Sequence, residues 1–93
     1  MAKIEENRPR SVHKILKGFI ADNFLPSAGL ETFNDDDSFM EKGIFDSTGV
    51  LELLEFIEER FDITVNDEEI VPDNLDSLSK LTSFIHKKKE NVS

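Results

Sequence analysis

Ninety-three residues without a cysteine have room for one modest core, and they exclude disulfides, thiolate metal sites and any thiol chemistry that is not imported. The formal charge of −9 is concentrated: residues 34–76 carry fifteen acidic and two basic side chains, net −13, against +1 before them and +3 after. Such a field repels nucleic acid and anionic membranes and attracts basic partner surfaces. With no apolar run long enough to span a bilayer or act as a secretory signal, a cytoplasmic monomer is expected.

The chain divides into a flexible lead (1–10), a single domain (11–88) and a short tail (89–93). Ser11 is a candidate N-cap. Behind it Val12, Ile15, Leu16, Phe19, Ile20 and Phe24 recur at helical spacing and predict a first helix from about Val12 to Asn23, stopped by Pro26 and Gly29. About twenty residues then lead to Asp46, a long connection for a compact domain. Leu30, Phe33, Phe39, Met40, Ile44 and Phe45 mark it as a structured loop laid across the helices. One helical turn is expected at Asp37–Glu41, capped from Asp35-Asp-Asp-Ser38.

A second helix starts at Asp46 or Ser47 and runs to about Arg60. Val50, Leu53, Leu54, Ile57 and Phe61 form its core stripe, and Glu52, Glu55, Glu58 and Glu59 lie outside it. Leu51 and Phe56 flank the stripe, and each either widens the core or joins a docking face. Ile63 and Val65 alternate inward in a short extended connection. Asn66 and Glu69 have capping-box spacing and open a short third helix at Asp67–Val71, stopped by Pro72. A last helix begins near Asp76 or Ser77, with Leu78, Leu81, Phe84 and Ile85 as its stripe. Lys87-Lys-Lys89 sits at its C-terminal end, where cations complement the helix dipole. The expected fold is all-α.

Ser47 stands at the mouth of the acidic helix, and a serine there invites a catalytic reading. A nucleophilic serine needs a base, normally histidine. The two histidines, His13 and His86, lie on helices near opposite chain ends, and Phe45 stands where a Gly-x-Ser-x-Gly elbow needs its first glycine. No catalytic residue is assigned. No metal site is assigned either, because Phe39 and Met40 interrupt the calcium-loop pattern that Asp35-Asp-Asp37 begins. What Ser47 does have is a helix N-terminus, where orphan N–H groups and the dipole favour an anion such as a phosphate ester. A plain N-cap role for Ser47 is the simpler alternative.

The run Gly43-Ile-Phe-Asp-Ser-Thr-Gly-Val-Leu-Glu-Leu-Leu-Glu-Phe-Ile-Glu-Glu-Arg-Phe, followed by Ile63-Thr-Val-Asn-Asp-Glu-Glu and Asp73-Asn-Leu-Asp-Ser-Leu, resembles the acyl carrier protein family from about Val12 to Ile85. The resemblance implies a four-helix bundle of acyl-carrier type, with a long structured loop between helices 1 and 2 and a short third helix. It also implies that Ser47 carries 4′-phosphopantetheine, added from coenzyme A by a phosphopantetheinyl transferase. Asp46 would belong to the modification motif. Thr48, Leu51, Glu52, Glu55, Glu58 and Glu59 would face partners: the transferase, and acyl- or aminoacyl-loading ligases, synthases and transferases with basic docking surfaces. The implied protein is a carrier of thioester cargo and no catalyst, its core stripes lining a pocket for an acyl chain whose depth depends on Phe39, Ile44, Leu54 and Phe84. Thr48 and Glu55 depart from the commonest family pattern, where apolar residues stand. They make the chain look more like dedicated carriers, including D-alanyl and aminoacyl ones, than like the general fatty-acid carrier. The competing expectation is a small acidic helical adaptor for a basic partner, with no prosthetic group.

Overall fold

The apolar stripes all become helix faces in the structure, a computed structural model that describes residues 9–90. In chain order the elements are α1 (Pro9–Asn23), α2 (Leu25–Ala28), α3 (Phe39–Lys42), α4 (Ser47–Phe61), a 3-10 turn at Asp67–Glu69, α5 (Pro72–Leu75) and α6 (Leu78–Glu90). No strand occurs among the described residues, and the Ile63–Val65 connection stays unpaired. The lead expected over residues 1–10 lies outside the described residues, except for its last two. The final three residues of the tail lie outside them too.

Val12, Leu16 and Ile20 of α1, Leu53 and Ile57 of α4, and Leu78, Leu81 and Ile85 of α6 are sealed from water. Each such side chain contributes roughly 1.5–3 kcal/mol of transfer free energy. Helix α6 is the common neighbour of α1, α4 and α5. Around this aliphatic centre runs a chain of rings. Phe33 meets Phe39, Phe39 meets Phe45, and Phe45 meets Phe24, all edge-on. Phe24 touches Phe19 edge-on, Phe19 stacks on Phe56 with centroids 3.8 Å apart, and Phe56 meets Phe61 at 90°. The loop, α1 and α4 thus share one aromatic seam, which is why the long connection is ordered.

Several boundaries differ from expectation for local reasons. Helix α1 begins at Pro9, so Ser11 lies inside it and is not its N-cap. Pro26 does not stop a helix but occupies the first turn of α2, where its missing N–H has no intrahelical acceptor to lose. Gly29, at φ 73°, is the stop. Pro72 likewise opens α5, so the third helix expected at Asp67–Val71 is a 3-10 turn followed by a separate helix. The expected capping box of Asn66 and Glu69 forms, with the Asn66 N–H donating to Glu69 Oε1 at 2.9 Å. The basic triplet also serves neighbours: Lys88 pairs with Glu69 at 2.9 Å, and Lys89 Nζ donates to the Phe61 carbonyl at the end of α4.

The loop is also held by an exchange of caps with the start of α6. Ser38 caps α3 by accepting from the Glu41 N–H, and α3 spans Phe39–Lys42 where a turn at Asp37–Glu41 was expected. The next two donors of α3 leave the loop: Phe39 N–H donates to the Asp76 carbonyl and Met40 N–H to Asp76 Oδ1. In return the Ser79 N–H of α6 donates to the Asp35 carbonyl, while Lys80 N–H donates to Ser77 Oγ. Each helix start satisfies orphan donors of the other.

Candidate functional site

Three Asp-Ser pairs stand before helices in this chain: Asp37-Ser38, Asp46-Ser47 and Asp76-Ser77. In sequence they look alike; in the structure they do not. Ser38 Oγ accepts from Glu41 N–H and donates to Asp76 Oδ2. Ser77 is buried and its Oγ accepts from Lys80 N–H. In the middle pair the roles are reversed. Asp46 is the N-cap of α4, its Oδ1 accepting from Gly49 N–H at 2.7 Å, and Ser47 is the first helical residue. Ser47 is exposed, and its hydroxyl has no hydrogen-bond partner among the described residues.

The local sequence explains the reversal. An aspartate at the cap position with extended backbone leaves the following residue to enter the helix. Gly49 then lets the first turn settle onto two rings: a Cβ there would come within 3.1 Å of Phe24 Cε1 and 3.2 Å of Phe45 Cδ1. A larger residue would lift the turn and its serine off the aromatic seam.

From Ser47 the solvent side of α4 carries Leu51, Glu55 and Glu59 at four-residue spacing, and all are exposed. Leu51 is 62% exposed, whereas Phe56 is half-buried on Phe19. Of the two flanking apolar residues, Leu51 therefore belongs to the surface and Phe56 to the core. Thr48 and Glu52 are exposed on a neighbouring row, beside Asp46 and above Phe24 and Phe45. Glu58 differs from the rest. It is half-buried, its Oε2 accepts from the Val65 N–H at 2.9 Å, and with Glu55 and Glu59 it borders a shallow acidic depression. Arg60, near the end of α4, lies 5.9 Å from the Phe61 ring.

One turn on from Ser47, Val50 borders an apolar cleft of about 170 Å³. Phe39, Met40 and Phe45 form its loop wall, Leu53 its floor, and Val71, Leu75 and Asp76 the wall opposite. Met40, Ile70 and Val71 leave apolar surface in water at its rim. Of the four residues expected to set pocket depth, all are buried in the core, and Phe39 alone of them lines this cleft. Sequence reading missed Val71, Leu75 and Asp76 as cleft residues, because their placement depends on α5 starting at Pro72. The one available signal was the third Asp-Ser pair.

No base lies within hydrogen-bond distance of Ser47 among the described residues. His13 Nε2 is engaged with Asp35 Oδ1 at 2.9 Å, and His86 Nε2 is buried on α6 without a partner among the described residues. Among the same residues no three His, Asp or Glu side chains converge as a metal site, and no helix is long and apolar enough to cross a membrane. No protein-family model matches the chain, and no curated protein shows significant sequence similarity to it.

Proposed function

We propose that this protein is a carrier of acyl or aminoacyl intermediates, with Ser47 as the attachment point of a 4′-phosphopantetheine group. On this reading α1, α4, α5 and α6 are the four helices of an acyl-carrier bundle, and α2 and α3 are turns of the long loop. One observation carries the reading: of three Asp-Ser serines, Ser47 is the one whose hydroxyl is exposed and unengaged.

The residues present fit such a group. Asp46 takes the capping duty that would otherwise hold the serine hydroxyl. The first-turn N–H groups and the dipole of α4 favour the negative charge of a phosphodiester. The group supplies, when bound, the thiol that this cysteine-free chain lacks, and cargo is held there as a thioester. The rest is the work of the chain. Ser47 is presented on a packed helix, Glu52, Glu55 and Glu59 draw basic surfaces of a transferase or loading enzyme, and the cleft beside Val50 shelters apolar parts of the cargo. The chain itself performs no turnover in this scheme. Exposed Thr48 and Glu55 make its recognition row more polar than the commonest family pattern, which favours a dedicated partner set over the general fatty-acid one.

Intact mass after incubation with coenzyme A and a broad-specificity phosphopantetheinyl transferase tests the proposal. A single phosphopantetheinyl gain in the wild type, absent in Ser47→Ala, is expected. An unmodified wild type would overturn it and leave the acidic adaptor, although that reading takes no support from capping because Ser47 does not cap α4.

A further inference from the structure

We propose that Asp76 is a positioning residue that sets the width of the apolar cleft by latching α3 to the start of α6. The inference rests on the cleft's role as a cargo shelter. Asp76 is the one charged residue of the cleft lining among the described residues, and both of its carboxylate oxygens are bonded to the start of α3. Its Oδ2 accepts from Ser38 Oγ and its Oδ1 from the Met40 N–H, while its carbonyl accepts from the Phe39 N–H.

Three bonds from one residue therefore hold the whole first turn of α3, a helix of four residues. An isolated turn that short has no stability of its own. At its other end Gly43, at φ 69°, closes the turn through bonds to Phe39 and Met40 carbonyls, so α3 is held at both ends. Its two apolar residues are anchored unequally: Phe39 is buried in the ring seam, whereas Met40 is 68% exposed at the cleft rim. Releasing the Asp76 carboxylate leaves Phe39 in place and frees Met40. The movable wall of the cleft is then Met40, and Asp76 decides how far it stands from Val71.

Charge-assisted bonds to a carboxylate are the strong class, so their loss is readable at individual amides. In Asp76→Ala the Met40 and Glu41 amides are expected to exchange with deuterated water about tenfold faster or more. The Ile20, Ile57 and Ile85 amides should change only by the factor that urea unfolding assigns to global stability. Ser38→Ala, which removes one of the three bonds together with the acceptor of the Glu41 N–H, should give a smaller effect at the Met40 amide and stands in if Asp76→Ala does not fold. On the unmodified proteins, the neutral apolar dye N-phenyl-1-naphthylamine should bind severalfold tighter to the variant than to wild type. Equal acceleration at all amides, or unchanged dye binding, would reduce Asp76 to an ordinary structural contact and sink the latch. Both readouts use unmodified protein, so they stand or fall separately from the coenzyme A experiment: failed modification refutes the carrier reading, and unmoved Met40 exchange refutes the latch.

Discussion

Replacing Asp46 and Ser47 in turn by alanine should give opposite results in structure and in chemistry. The Asp46 carboxylate accepts from the Gly49 N–H at 2.7 Å, and Gly49 is buried against Phe24 and Phe45. Water has poor access to that N–H once the carboxylate is gone. The loss therefore falls in the upper part of the range for N-caps, about 1–2 kcal/mol. For a domain of this size that is a fall of roughly 4–16 °C in Tm. Asp46→Asn should lie between, because asparagine caps about as well and only the charge–dipole contribution of about 0.3–1 kcal/mol is lost. Ser47→Ala removes an exposed hydroxyl with no partner and installs the best helix former, so stability should stay within about 0.5 kcal/mol of wild type. Urea unfolding of the unmodified proteins, followed by circular dichroism, measures all three. Intact mass after coenzyme A treatment should show the reverse order of importance, with Ser47→Ala wholly unmodified. If Ser47→Ala were as destabilised as Asp46→Ala, Ser47 would be the structural cap and its availability for attachment would be lost as an argument.

Gly18 lies on the exposed face of α1 with open space where a Cβ would go, so Gly18→Ala should raise stability by about 0.4–1 kcal/mol in the same assay. The Asn66 N–H and then the Lys88 ammonium hold the Glu69 carboxyl below its ordinary value. A depressed folded-state value means that this contribution is present above the unfolded value and is lost as pH falls through the folded one. Urea curves from pH 7 to pH 3 should show the gap between wild type and Glu69→Gln closing below about pH 4.5; a constant gap would refute the linkage. Replacing exposed Glu52 and Glu59 with Gln should slow capture by the transferase severalfold at low salt, and the difference should shrink as the Debye length falls below about 10 Å. Glu58→Gln belongs in a separate arm, since its loss also disturbs the Val65 contact.

The helical class, the three long helices and the core stripes were legible because burial of an amphipathic face imposes a 3.6-residue period that survives in any packing. Val12, Leu16, Leu53, Ile57, Leu81 and Ile85 could be named from spacing alone, and all are buried. The cap at Ser38 was legible for a similar reason: it is a contact within four residues of chain. The proline positions misled, since a proline can end one helix or begin the next. That choice at Pro26 and Pro72 is made by what the following residues pack on.

The attachment candidate shows the same division. By itself the sequence determined that an Asp-Ser pair opens an acidic amphipathic helix in a chain with no thiol, and that two further Asp-Ser pairs stand before helices. Only the tertiary structure decided which serine is at liberty. Ser38 is held across 38 residues of chain by Asp76, Ser77 is buried under the α5–α6 junction, and Ser47 is released because Asp46 caps in its place above the Phe24 and Phe45 rings. Local propensity places a polar side chain at a helix start. The partners that occupy it come from distant parts of the chain, and those meetings are set by packing.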